Sequence, residues 1–137
     1  EVLARDGIEP YPGSLRLLDH LAGIGLPMAV VSSSRNAREV LEAAGLTDYF
    51  EVVMDGNLAR QLGLPGKPEP DVFVESAKML DVTVDDTVVL EDALSGVASG
   101  AAGGFGLVVG IARGAGAEAL KSAGADLVVT DCEELLP

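Results

Sequence analysis

The sequence predicts an α/β domain built on a parallel sheet with helices on both faces. Three observations carry that prediction. Apolar runs of strand length alternate with amphipathic runs of helix length along the whole chain. The strand-like runs are apolar throughout rather than every second residue, as in strands buried on both faces. The 17 glycines and 7 prolines fall mostly between these runs, where turns are needed. A chain of 137 residues is the length of one domain.

Each element follows from local residues. Pro12-Gly13 opens a helical run with apolar Leu15, Leu18, Leu21 and Ala22, closed by Gly23 and Gly25. His20 lies in this run and reads as a surface or boundary residue. Pro27-Met28-Ala29-Val30-Val31 is a buried strand ending in Ser32-Ser33-Ser34. A helix follows from about Asn36 to Ala44 and is stopped by Gly45. Phe50-Glu51-Val52-Val53-Met54 is a second strand, and a polar loop runs from Asp55 to Lys67. Pro68 and Pro70 start a helix whose apolar face uses Val72, Phe73, Ala77 and Leu80. Thr87-Val88-Val89-Leu90 is a third strand, ending at Glu91-Asp92. Leu94, Val97, Ala98 and Ala101 have helical spacing. Leu107-Val108-Val109 is a fourth strand, Ala117 to Ala123 a short helix, and Asp126-Leu127-Val128-Val129 a final strand.

Composition excludes several classes of function. The chain has 22 acidic and 9 basic side chains, a net charge of −13, and no Lys/Arg cluster. Nucleic acids and anionic membranes need a basic face, so neither is an expected partner. A hydrophobic content of 48% is too high for a disordered acidic tail. The single Cys132 excludes an internal disulfide framework and a thiolate zinc site, and fits a reducing, cytoplasmic setting. The single His20 excludes a His-rich metal site. The N-terminal residues Glu1 to Asp6 are not a signal peptide and lack an initiator Met, so they read as cut from something longer. The uncharged stretch 93–112 has the length of a membrane span, but its glycines read as a small-residue helix, a turn and a buried strand.

Parallel sheets bind ligands at the carboxyl ends of their strands. Here Ser32 ends one strand, Lys67 lies in the loop after the next, and Glu91-Asp92 ends the third. All suit phosphate chemistry. A hydroxyl and helix N-terminal amides bind phosphate oxygens, an ammonium neutralises the phosphoryl group, and paired carboxylates suit a hard ion such as Mg²⁺. Taken singly, each has a plainer reading: a helix cap at Ser32-Ser33-Ser34, a solvated loop lysine, or N-terminal charges of a helix. Their succession at consecutive strand ends favours the chemical reading. A receiver domain, which also groups carboxylates, a hydroxyl and a lysine, places the acidic pair first and the lysine last, the reverse of the order here.

Three runs carry a family resemblance: Val30-Val31-Ser32-Ser33-Ser34-Arg35-Asn36, Gly66-Lys67-Pro68-Glu69-Pro70-Asp71-Val72-Phe73, and Val89-Leu90-Glu91-Asp92-Ala93-Leu94-Ser95-Gly96. They resemble the second, third and fourth motifs of the haloacid dehalogenase-like phosphotransferases, in the β-phosphoglucomutase-like branch. The resemblance spans roughly residues 8–136 and implies a Rossmann-like three-layer parallel sheet. It implies that Ser32 holds the transferring phosphoryl group and that Lys67 neutralises it and orients a nucleophilic aspartate. It further implies that Glu91 and Asp92 bind Mg²⁺, and that Ser33, Arg35 and Asn36 contact a small phosphorylated substrate.

One departure is large. The family's first motif, Asp-x-Asp-Gly at the end of the central strand, supplies the nucleophile and the general acid/base. The look-alike Ala4-Arg5-Asp6-Gly7 has alanine at the nucleophile position, and no apolar strand precedes it. The helical cap is missing too, and residues 1–12 read as a linker leading back from it. The expectation is therefore an incomplete core, without its first strand and cap. Such a chain by itself is expected to be inactive, or to be a catalytically dead core or interaction module. Its open sheet edges favour self-association.

Overall fold

A computed structural model describes residues 3–4, 12–33 and 36–137. The elements are β1 (Leu3–Ala4), α1 (Pro12–Gly23), β2 (Ala29–Val31), α2 (Ala37–Ala44), β3 (Val52–Met54), α3 (Gly56–Gln61), α4 (Asp71–Met79), β4 (Val88–Glu91), α5 (Leu94–Ala102), β5 (Leu107–Ile111), α6 (Ala117–Ala123) and β6 (Leu127–Val129). All strand pairings are parallel. One sheet has the order β1-β4-β5-β6, and β2 pairs with β3 in a second ladder. Val89 lies opposite Val108, and Val30 opposite Val53.

Successive residues of a strand face opposite sides of its sheet. Val30, Val53, Leu90 and Val109 pack with Leu17 and Leu18 of α1 and Leu41 of α2. Their neighbours Val31, Met54, Val89 and Val108 pack on the other side with Phe73 of α4, Val97 of α5 and Leu120 of α6. Both faces are covered, which is why the strands are apolar at every position. Helix α2 ends where predicted, because Gly45 takes the left-handed conformation at φ 72° that the C-terminal cap requires. Cys132 is buried in the first of these clusters.

Three features differ from the sequence reading. Residues 55–67 are not all loop: α3 forms there because Asp55 accepts a hydrogen bond from the Leu58 amide (2.8 Å) as its N-cap. Helix α5 is not buried along Leu94 and Ala101, which are exposed, but through Gly96, Val97, Ser99 and Gly100. Small residues let its backbone lie close on the sheet. A Cβ on Gly100 would sit 3.2 Å from Val108 and 3.3 Å from Val89. Finally, a strand does occur in the segment read as a linker. Leu3 and Ala4 pair with Val88 and Val89 of β4, and β1 also approaches β2. Among the described residues no helix is long and apolar enough to cross a membrane.

Candidate active site

The carboxyl ends of β2, β3 and β4 bring the predicted residues to one edge. Ser32 follows β2 and is 8% exposed. Its amide donates to the Met54 carbonyl (2.9 Å), which extends the β2–β3 ladder to the rim. Ser33 and Asn36 are exposed. Asn36 stands at the N-cap position of α2, but its side chain does not cap the helix. Ser34 and Arg35 lie outside the described residues.

Lys67 is the best-fixed member of the site. Its side chain is only 8% exposed. Nζ donates to the Val31 carbonyl (3.3 Å), lies 3.8 Å from Glu91 Oε2, and sits 5.0 Å from the centroid of the Phe73 ring. A carbonyl, a carboxylate and an aromatic face together replace part of the water an ammonium loses on burial. The loop that carries Lys67 is itself anchored. The Glu69 amide donates to Gly66 (3.0 Å), and Ser99 Oγ of α5 donates to the Glu69 carbonyl (2.6 Å).

Glu91 and Asp92 are adjacent in sequence but differ in surroundings. Glu91 ends β4 and is fully buried, with its carboxylate toward Lys67. It lies against Gly96, where a Cβ would overlap the carboxyl group. Asp92 is half-buried. Among the described residues no group of three or more His, Cys, Asp and Glu side chains converges as a metal site. A Mg²⁺ ion held by one or two carboxylates, substrate phosphate oxygens and water does not need such a group. Asp92 fits that donor set, whereas the Glu91 carboxylate is taken up in part by Lys67.

A cavity of about 310 Å³ opens beside these residues. Ser32, Ser33, Arg60 and Lys67 contribute polar lining, and Val31, Ala59, Leu64 and Val72 apolar lining. Phe73, Gly96, Ser99 and Arg60 were not singled out from sequence as site residues. The signal for Gly96 and Ser99 was present in the run of small residues in α5. Phe73 read only as core, and Arg60 fell in a segment read as loop.

Fold and site together define a parallel α/β protein whose strand ends place a hydroxyl, a buried lysine and acidic side chains around an open cavity. The chain belongs to the haloacid dehalogenase-like hydrolases, whose family model matches residues 1–104, and within them to the β-phosphoglucomutase-like branch. It is 48% identical over 99% of its length to a beta-phosphoglucomutase of Mycobacterium tuberculosis, covering 53% of that protein. It is 35% identical over 98% of its length to hexitol phosphatase A of Escherichia coli, covering 60% of that protein. A crystal structure of a haloacid dehalogenase family hydrolase from Deinococcus radiodurans, with bound phosphate and sodium, superposes with a TM-score of 0.79 at 33% identity. That match covers 91% of this chain and 56% of the other. The chain thus spans little more than half the length of the relatives it matches.

Proposed function

We propose that this chain supplies the phosphoryl-binding part of a Mg²⁺-dependent phosphotransferase acting on a small phosphorylated metabolite, as a sugar-phosphate phosphatase or a β-phosphoglucomutase. The observation that carries the proposal is Lys67, a nearly buried ammonium held at the mouth of the cavity by Val31, Glu91 and Phe73. Burying a charge on three partners is worthwhile where a fixed positive group must meet developing negative charge. Ser32 donates its hydroxyl to a phosphoryl oxygen, and Lys67 neutralises the same group. Ser33, Arg35 and Asn36 contact the substrate beyond it. Asp92 would hold the Mg²⁺, which would screen phosphoryl charge; Glu91 completes the acidic pair and holds Lys67 in place. The names of the relatives, a beta-phosphoglucomutase and a hexitol phosphatase, support the sugar-phosphate class. Because this sequence contains no Asp-x-Asp-Gly motif to supply the nucleophilic aspartate, we infer that this chain alone does not turn over substrate.

The test is calorimetric titration of the chain with orthophosphate, with and without Mg²⁺. Lys67→Ala is expected to weaken phosphate binding about tenfold or more, the scale of a lost charge-assisted hydrogen bond. Removing Lys67 leaves Glu91 buried without that cation, at a cost of about 3–5 kcal/mol. The double variant Lys67→Met/Glu91→Gln therefore serves as the folded comparison. Asp92→Asn is expected to remove the effect of Mg²⁺. Phosphate binding that is indifferent to Lys67 would overturn the site, and turnover of an aryl phosphate by the unmodified chain would overturn its inactivity.

A further inference from the structure

We infer that Ser99 is a positioning residue for Lys67: its hydroxyl ties the turn that carries the lysine to helix α5, and that tie sets how firmly the site holds a phosphoryl group. The inference rests on the reading of the site given above and adds to it the residue that keeps the ammonium in place.

The first observation is where the Ser99 hydroxyl goes. A serine inside a helix can satisfy its hydroxyl locally, on the carbonyl four residues back. Ser76, buried in α4, does so: its Oγ donates to the Val72 carbonyl (2.7 Å). Ser99 is fully buried in α5, yet its Oγ donates out of its own helix, to the Glu69 carbonyl (2.6 Å). That carbonyl belongs to the short turn around Lys67, which the Glu69 amide closes on the Gly66 carbonyl (3.0 Å). Pro68 and Pro70 flank Glu69 and have no amide hydrogen. The segment therefore cannot join a regular ladder of hydrogen bonds, and a tie from a neighbouring element takes its place.

The second observation is what the tie connects. Helix α5 is a firm anchor, because Gly100, the residue after Ser99, packs closely on the side chains of Val89 and Val108 in the sheet. The flanks of the Lys67 turn are held separately. Upstream, buried Asp55 caps α3 and lies 3.8 Å from Arg38 Nε of α2, and the Leu64 amide donates to the Ala59 carbonyl (2.9 Å). Downstream, the Val74 amide donates to the Pro70 carbonyl (3.0 Å) as α4 begins. Between these flanks the Ser99 bond fixes the turn itself. Lys67 depends on it, because none of the contacts of Nζ is short: 3.3 Å to the Val31 carbonyl, 3.8 Å to Glu91 Oε2 and 5.0 Å to the centre of the Phe73 ring. Contacts of that length hold a charge weakly, so its place is set by the backbone that carries it.

The experiment titrates orthophosphate into the wild-type chain, Ser99→Ala and Ser76→Ala. It also follows the Lys67 Nζ resonance of each isotope-labelled chain, assigned by its absence from Lys67→Met/Glu91→Gln. Alanine favours a helix, so both serine variants are expected to keep the fold, which circular dichroism checks. Ser99→Ala should weaken orthophosphate binding about fivefold, the scale of one neutral hydrogen bond, and should shift or broaden the Lys67 signal. Ser76→Ala makes the same buried change at a hydroxyl that serves its own helix. It should leave binding within about twofold of wild type and the Lys67 signal in place. Wild-type affinity in Ser99→Ala overturns the inference. A loss of affinity with an unmoved Lys67 signal also overturns it, because Ser99 would then act by another route. An equal loss in Ser76→Ala marks both as general packing effects and overturns it as well. In all three cases orthophosphate still binds the wild-type chain; where it does not, the underlying site fails and this inference with it.

Discussion

Lys67 gives up nearly all of its contact with solvent to reach its place, and the neighbours that make this tolerable come from three different elements. The Val31 carbonyl ends β2, Glu91 ends β4, and Phe73 belongs to α4. None of them is near Lys67 in sequence except Phe73, so the burial of this lysine is a tertiary property. Glu91 depends in turn on Gly96, the one residue type whose lack of a Cβ leaves room for the carboxyl group. Replacing a helical glycine by alanine ordinarily favours the helix by about 1 kcal/mol. At Gly96 the overlap with Glu91 is expected to reverse the sign, so that Gly96→Ala destabilises the fold by about 1–3 kcal/mol in a urea titration. A neutral or stabilising Gly96→Ala would mean that Glu91 does not pack where the structure places it.

At the scale of elements, small residues set the geometry of the site. Helix α5 approaches the sheet through Gly96 and Gly100, which lets Ser99 reach the Glu69 carbonyl and tether the Lys67 loop. The C-terminal turn uses a different device. Glu134 accepts from the Thr130 hydroxyl (2.6 Å) and amide (2.7 Å) and from the Asp131 amide (3.0 Å), while Asp131 accepts from the Glu133 amide (2.8 Å). These hydrogen bonds, that of the Thr130 hydroxyl foremost, hold the Glu134 carboxyl below its usual range. A carboxyl whose pKa is lower folded than unfolded stabilises the fold fully above the unfolded value. That stabilisation is lost as pH falls through the folded value. Glu134→Gln should therefore lower Tm at neutral pH, with a deficit that shrinks toward zero on acidification below the ordinary carboxylate range. A deficit independent of pH would locate the stabilisation elsewhere. Tyr49 also donates to Asp19 near the surface, and that hydrogen bond raises the phenol pKa above its usual value.

The whole molecule combines an acidic surface with open sheet edges. The two ladders, β1-β4-β5-β6 and β2-β3, have β1, β2, β3 and β6 as edge strands, and β1 contributes only two residues along β4. Leu107 and Leu127 are exposed on β5 and β6. We propose that copies of the chain associate through these edges, opposed by mutual repulsion of molecules that each carry a net charge of −13. Sedimentation equilibrium should then show a mass that rises above 14.0 kDa with concentration. The rise should be steeper at about 0.5 M salt, where charge is screened over a few ångströms. A constant 14.0 kDa at both ionic strengths would refute this.

The sequence by itself determined the alternation of strands and helices, the burial of the strands on both faces, and the arrival of Ser32, Lys67 and Glu91-Asp92 at one sheet edge. Those properties are local. Apolar runs, glycine stops and the order of motifs along the chain are enough to specify them. It also carried the family, through the motif-like runs around Ser32, Lys67 and Glu91. Only the tertiary structure decided what those residues do to one another. It separated Glu91, buried toward Lys67, from half-buried Asp92. It made a helix from Asp55 onward that puts Arg60 on the cavity wall. It also set Leu3–Ala4 against β4, in a segment that reads as linker. Each of these depends on contacts between residues far apart in the chain: a lysine with the end of another strand, a helix cap fixed by an arginine on the preceding helix, a two-residue strand given its ladder by β4. Periodicity cannot report such contacts, because their energy comes from the partner's surface and not from the pattern of the segment itself.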